Sequence, residues 1–339
     1  MREIGSEFMQ GSYVKGTNKY KSLCDYPKRY VLSGRTGLYL IANELQNADI
    51  TSVALPAYCC SSMVTPFLDA GFQIVFYKAE EMLNAQAVLI MDYFGFIRSD
   101  TIKYAKKCKK VGKKVIIDAT QTAFSRSEIF EYADYIVASY RKWFDCLCAS
   151  VYSKNDFSTQ EYQKEAKQYT LTWREAAKEK KKYLESVAGD KQNFLNLYSK
   201  ANLMLAQDYI GFKASKKEID YFEKLNSYSL RKARRENAEI LISRLKGKVE
   251  LLFNKLEDED CPLFVPIILE KKLRSVIKTD MISNDIYCPV HWPVVEDYPH
   301  QITALHDTEL SLICDQRYSQ NDIEREADLL VRLIEKRKK

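Results

Sequence analysis

The sequence contains no uninterrupted apolar run of the ~18 residues a bilayer-spanning helix needs, so neither a membrane span nor a membrane partner is expected. No apolar h-region follows Met1, so no secretory signal is expected. Nine cysteines are present, but none form a Cys-x-x-Cys pair: Cys59 and Cys60 are adjacent, and one residue separates Cys146 from Cys148. That spacing excludes the common zinc and disulfide frameworks. Several of these thiols lie in apolar runs, where a free cysteine packs as a small hydrophobe. A reducing cytoplasmic setting without a metal is the expectation. No Gly-x-Gly-x-x-Gly or Walker sequence occurs, so the two commonest nucleotide-phosphate loops are missing. Internal repeats and low-complexity linkers are absent too.

What remains is the composition of a folded domain protein, 46% hydrophobic, 12% aromatic and 29% charged over 339 residues. That length suggests about two domains. The net charge of +6 is mild, and much of it falls in KEAKQYTLTWREAAKEKKKYLE, where interleaved glutamates and a helical period describe a helix with one wet face. Nucleic-acid binding asks for a denser, less compensated patch and is not expected. The opening MREIGSEF reads as vector-derived and is set aside as residues 1–8.

From Ser33 to Ser153, short apolar runs alternate with helix-period segments. TSVALP, QIVFYK, AVLIMDYFG, KKVIIDA, YADYIVAS and CLCASVYS have strand length. CSSMVTPFLDAG and SDTIKYAKKCKKVGK read as helices, the second capped by Ser99 and ending near Gly112. Buried strands separated by helices predict an α/β fold with an open, mostly parallel sheet and right-handed crossovers. The chain then reads as helical from Phe157 to about Tyr221, with SLRKARRENAEILISRLK as one long amphipathic helix. After Gly247 short strands and helices alternate, ending in a helix from Asn321. The expected division is a large α/β/α domain over 9–225 and a small C-terminal α+β domain over 226–339.

In open α/β sheets ligands gather at the carboxyl ends of the strands. The polar residues there are Asp92, Tyr93 and Gly95 after the third run, Asp118 and Gln121 after KKVIIDA, and Ser139, Arg141 and Lys142 after DYIVAS. Upstream, Ser33-Gly34-Arg35-Thr36 precedes an apolar-periodic helix and offers free N–H groups and a dipole to an anion. A phosphate pocket, an aspartate and a lysine on neighbouring strand ends suit pyridoxal phosphate. The lysine amine forms a Schiff base with the aldehyde, and the aspartate keeps the pyridine nitrogen protonated. Each feature also has a plain reading. Asp118 can be a helix cap, Lys142 a solvated turn residue, and Ser-Gly-Arg-Thr a capping pattern.

Taken in order, these stretches resemble the fold-type I pyridoxal-phosphate enzymes, specifically the DegT/DnrJ/EryC1/StrS sugar aminotransferases. The resemblance runs through SGRTGLYL, LPAYCCSSMVTPFLDAGFQIVFY, MDYFGF, VIIDATQTAFS, ASYRKW, IYCPVHWP and LSLICDQRYSQNDIEREADLL. It implies Lys142 as the Schiff-base lysine and proton shuttle, and Asp118 as the partner of the pyridinium nitrogen. Gln121 would lie near the ring oxygen, with Ser139 and the Gly34-Arg35-Thr36 backbone on the phosphate. His291 and Trp292 would close the substrate side with Tyr93, and Asn237 would reach a phosphate across a homodimer interface.

Two positions depart from the family. Cys60 stands where an aromatic ring stacks on the cofactor, leaving Tyr58 or Tyr93 to serve. Cys148-Ala149 replaces a Gly-Gly pair. Lys142 itself argues against the dehydratase branch, where histidine takes that place. Arg141 and Arg317 are candidate anion contacts. The implied activity is transfer of an amino group from an amino acid such as glutamate to a nucleotide-linked keto-sugar, in amino-sugar or surface-polysaccharide biosynthesis. The alternatives are a lyase or desulfurase using the same cofactor, a non-catalytic nucleotide-sugar-binding relative, and a nucleotide-binding protein in which Lys142 only steadies a phosphate.

Overall fold

The computed structural model describes residues 3–12, 15–16, 19, 23–78, 80–185, 189–292 and 303–338. In chain order its strands are β1 (Ile4–Gly5), β2 (Lys28–Val31), β3 (Ser52–Pro56), β4 (Gln73–Tyr77), β5 (Ala87–Ile90) and β6 (Lys114–Asp118). They continue as β7 (Tyr135–Ser139), β8 (Ala149–Ser153), β9 (Glu250–Leu251), β10 (Val265–Ile268), β11 (Ile286–Tyr287) and β12 (Glu309–Leu312). The helices are α1 (Gly34–Gln46), α2 (Ser61–Asp69), α3 (Ser99–Lys110), α4 (Lys167–Leu184) and α5 (Lys191–Gln207). After them come α6 (Lys216–Glu223), α7 (Ser227–Leu245), α8 (Lys271–Ile282), α9 (Ala304–Thr308) and α10 (Gln320–Lys338).

The central sheet runs β2-β8-β7-β6-β5-β3-β4. Strands β3 to β7 pair in parallel, whereas β8 is antiparallel to both β7 and β2. The exception follows from chain length: the short connection between β7 and β8 can only reverse direction, since a parallel return needs a crossover. Alternation along β6 sends Val115 and Ile117 into one core and Ile116 into the other. Helices α1 and α2 cover the second face, and α3 covers the first. Gly37 lets α1 settle onto that face. A Cβ there would lie 2.8 Å from Val137 and 2.9 Å from Val151. Burial of Leu38, Ile41 and Leu45 along the same helix stabilises the contact by roughly 2 kcal/mol per side chain.

The stretch expected to be helical from Phe157 is three helices. Helices α4 and α5 form a hairpin with its own core around Trp173, Phe194 and Tyr198. Ser99 is not the cap of α3: Arg98 occupies the cap position without a side-chain bond, and Ser99 is the first helical residue. A separate core joins α7, α8 and α10 to the antiparallel sheet β12-β10-β9.

The expectation that residues 1–8 stand outside the fold is corrected for residues 3–8. Strand β1 pairs in parallel with β11, Ile4 opposite Ile286, and Ile4 belongs to the core around α7, α8 and α10. Glu3 pairs with Lys191, and Arg317 donates to the carbonyls of Ser6 and Glu7 at 3.1 Å each. A segment with a buried apolar side chain and bonded carbonyls belongs to the structure, whatever its sequence resembles.

Candidate active site

The carboxyl ends of β6 and β7 open into a cavity of about 230 Å³. Asp118 ends β6 and is buried. Its Oδ1 accepts the Thr120 N–H at 2.8 Å. Burial pushes this carboxyl up, opposed by the Thr120 hydrogen bonds and the charge of Lys142. Gln121 is fully buried, and its Oε1 accepts the Phe94 N–H at 2.5 Å. Its Nε2 is buried and has no hydrogen-bond partner among the described residues, and the residue borders the cavity. A buried amide donor left unpaired costs free energy, so it points to a ligand acceptor.

Across the cavity, Ser33 caps α1 by accepting from the Thr36 N–H. The Gly34 and Arg35 N–H groups remain first-turn donors with no intrahelical acceptor. Gly34 faces Ser139: a Cβ there would lie 3.3 Å from Ser139 Cβ and 3.7 Å from Thr120 Oγ1. That close approach leaves a cradle for an oxyanion, with the Ser139 and Thr120 hydroxyls on its rim. Arg35 lines the same end, and burial lowers its guanidinium from the ordinary value.

Lys142 follows β7 in a single tight turn, Tyr140–Lys142. Trp143 fixes that turn. Its N–H donates back to Tyr140 at 2.8 Å, its indole donates to the Thr120 carbonyl at 2.8 Å, and its ring is fully buried against Phe124. Burying an aromatic ring of this size is worth about 2–3 kcal/mol, enough to anchor the turn while the neighbouring lysine stays accessible. The Lys142 side chain borders the first cavity and also a second one of about 320 Å³ on its other side. Its charge reaches both Asp118 and His291.

Trp292 borders the first cavity. Its ring packs on Tyr58 at 5.2 Å and Tyr93 at 6.3 Å between centroids. His291 lines the second cavity, its Nδ1 3.0 Å from Ser311 Oγ and its N–H bonded to Glu309. Burial lowers this imidazole despite Glu309, and the charge of Lys142 lowers it further.

The structure thus brings together Lys142, Asp118, Gln121, Ser139, Gly34, Arg35, Cys60 and Trp292 around the first cavity, with His291 beside the second. Three expected residues lie elsewhere. Thr36 spends its side chain on the Tyr209 carbonyl at 2.8 Å and its N–H on Ser33. Tyr93 donates to the Tyr58 carbonyl at 2.7 Å, and the two tyrosines back Trp292 instead of lining the cavity. Asn237 donates its amide to the carbonyls of Cys314, Asp315 and Tyr318, which ties α7 to the turn before α10. Asp92, another strand-end carboxyl, turns toward α3 and accepts from Thr101.

Sequence reasoning missed Thr120, whose flanking by Asp118 and Gln121 was a usable signal. It also missed Asn202 and Leu205 of α5, which border the cavity from the hairpin. Asn202 and Tyr169 hold Arg141 at 3.2 Å each, and its guanidinium lies 4.7 Å over Trp173.

No protein-family model matches the sequence, and no curated protein matches it. Solved structures do match. The aminotransferase TlmJ from Streptoalloteichus hindustanus superposes with a TM-score of 0.67 at 13% identity, over 92% of this chain and 87% of that one. NtdA from Bacillus subtilis, with bound cofactor PMP, gives 0.62 at 14% identity over 91% of this chain and 73% of that one. DesI, in the presence of its TDP-sugar product, gives 0.61 at 14% over 90% and 79%. The chain has the fold of these aminotransferases, the α/β fold type I expected from its motifs.

Proposed function

We propose that this chain is a pyridoxal-phosphate-dependent aminotransferase that moves an amino group from an amino acid, glutamate above others, to a nucleotide-linked keto-sugar. We place it as a cytoplasmic homodimer serving amino-sugar or surface-polysaccharide biosynthesis. The observation that carries the reading is the placement of Lys142. Its amine lies between two cavities, one of which holds a buried carboxylate, an unpaired buried amide and an oxyanion cradle.

The donor set fits the cofactor. Ser139, Thr120 and the Gly34 and Arg35 N–H groups would hold the phosphate, Asp118 the pyridine nitrogen, and Gln121 Nε2 the ring oxygen. When bound, the cofactor supplies an electron sink for a carbanion next to nitrogen. The chain supplies the rest. Asp118, kept from water, needs a cationic partner and so favours a protonated ring nitrogen. Lys142 accepts a proton from the donor's alpha carbon and returns one to the carbon that receives the amine. Trp292 excludes water, which would otherwise compete for the reacting carbon.

The desulfurase alternative needs a mobile cysteine nucleophile. Cys146, Cys148 and Cys314 are buried, and burial pushes the thiols of Cys146 and Cys314 well up, away from the reactive thiolate.

The test is an absorbance spectrum of the purified protein with pyridoxal phosphate, before and after borohydride, alongside Lys142→Ala. A yellow band that reduction fixes to Lys142 and glutamate bleaches is the expected result. Absence of the band in folded wild-type protein refutes the reading.

A further inference from the structure

A heteroaromatic ring held among Asp118, Gln121 and Lys142 needs a flat surface to lie against, and the first cavity offers one. Among the described residues that line it, Trp292 alone carries an aromatic ring. The rest of the apolar lining is aliphatic or thioether, from Leu38, Met63, Met91, Leu205 and Ala206. Cys60 borders the cavity too, but its thiol lies 2.9 Å from the Ser62 hydroxyl and has no plane to offer. Tyr58 and Tyr93, the rings expected to stand in for it, do not border the cavity. Both hydroxyls are bonded within the chain, to the carbonyls of His291 and Tyr58 respectively.

Those bonds place Trp292. The residue before it is held at both ends: the His291 N–H donates to Glu309 at 2.8 Å, and the His291 carbonyl accepts from the Tyr58 hydroxyl. The indole then packs on the rings of Tyr58 and Tyr93 and meets the His291 ring edge-on, 5.2 Å between centroids. Cys60 and Trp292 pack against one and the same core, that of the α1 and α2 face. A ring backed in this way is held before any ligand arrives, so little side-chain freedom is lost on binding. Trp143 and Trp173 are buried, whereas Trp292 stays partly exposed.

We infer that Trp292 is the residue that lies against the cofactor ring, supplying the flat contact that Cys60 cannot. The inference rests on the pyridoxal-phosphate reading of this cavity. Asp118 favours a protonated, electron-poor pyridine ring, and the indole face is the side-chain surface that attracts a cation best. The contact therefore adds electrostatic attraction to the burial of two apolar planes. Two parts of the site then select different features of one molecule. The cradle between Gly34 and Ser139 holds a phosphate whatever is attached to it, and Trp292 selects a flat ring.

The experiment titrates the full chain, freed of cofactor, with pyridoxal phosphate and separately with glycerol phosphate, which keeps the phosphate and lacks the ring. Binding is read from absorbance for the first and from calorimetry for the second. Trp292→Leu is expected to weaken pyridoxal phosphate by about tenfold and to leave glycerol phosphate unchanged. Trp292→Phe, which restores a flat face, is expected to recover most of that loss. Equal losses for the two ligands would make Trp292 part of the cavity's shape only and overturn the inference, as would unchanged affinity for pyridoxal phosphate in Trp292→Leu. A second measurement needs no variant. Trp292 is the partly exposed one of three tryptophans, so oxidation by N-bromosuccinimide, mapped by peptide mass, reports on it. Pyridoxal phosphate is expected to slow that oxidation and glycerol phosphate to leave it unchanged. Equal protection by the two ligands, or none by the cofactor, overturns the inference. All of these overturning results leave the aminotransferase reading standing while borohydride still fixes the cofactor to Lys142. Failure of the wild type to take up cofactor removes both.

Discussion

The side-chain carbonyl of Gln121 accepts the Phe94 N–H at 2.5 Å while its buried amide nitrogen has no acceptor among the described residues. One half of the side chain therefore serves the fold and the other half awaits a ligand. Gln121→Leu separates the two. The orphaned Phe94 N–H is expected to lower apo-protein stability by about 1–3 kcal/mol in urea unfolding. The lost amide is expected to weaken pyridoxal phosphate by about tenfold in an absorbance titration. An unchanged titration in a destabilised variant would assign Gln121 to the fold alone.

Asn237 offers the opposite case. Its amide donates to three backbone carbonyls between Cys314 and Tyr318. Asn237→Ala is expected to cost about 2 kcal/mol of stability, with cofactor affinity intact in the fraction that folds. Denaturant curves and a cofactor titration on the same sample check this. Selective loss of cofactor phosphate affinity would restore the cross-subunit role implied by resemblance.

Gly34→Ala tests the cradle. Its Cβ would stand 3.3 Å from Ser139 Cβ, filling space assigned to the phosphate. Affinity for pyridoxal phosphate is expected to fall by about tenfold or more, and affinity for pyridoxal, which lacks the phosphate, to change much less. Equal losses for the two ligands would place the phosphate elsewhere.

Glu326 gives a pH signature. It is fully buried, accepts from the Ile313 N–H and the Cys288 thiol, and burial raises its carboxyl to about 8 from an ordinary 4.5. Between those pH values the folded chain holds a proton that the unfolded chain releases, so stability falls as pH rises through the window. Glu326→Gln cannot ionise and keeps the acceptor oxygen. Wild type and variant are expected to unfold alike near pH 5, with the variant more stable by a few kcal/mol, roughly 4, near pH 8. Parallel pH profiles would show that Glu326 is ionised in the fold.

The local parts of the site were legible in the sequence, and the distant parts were not. Asp118, Ser139 and Lys142 could be found because strand-length apolar runs mark where a parallel sheet ends, and a residue one or two places past that end has few places to go. Gly34 was legible for the same reason at a helix start. Asn202, Arg234 and Glu7 reach the cavities from segments far along the chain, and nothing near them in sequence announces it. Asn237 and Tyr93 make bonds within the chain that residue type did not announce, since it shows that a side chain can bond without showing with what. Residues 3–8 were set aside because they resemble vector-derived sequence, a reading that carries no information about their pairing with β11.

That pairing has a consequence for how the molecule is made. Ile4 must wait for Ile286, far along the chain, before it has a strand to lie against. The seven-stranded sheet needs nothing beyond Ser153, so the lysine turn can form early while the flank of the second cavity stays open. Domains tend to consolidate in order of synthesis, and contacts this far apart in sequence form slowly. Strand β1 is thus among the last elements to be seated.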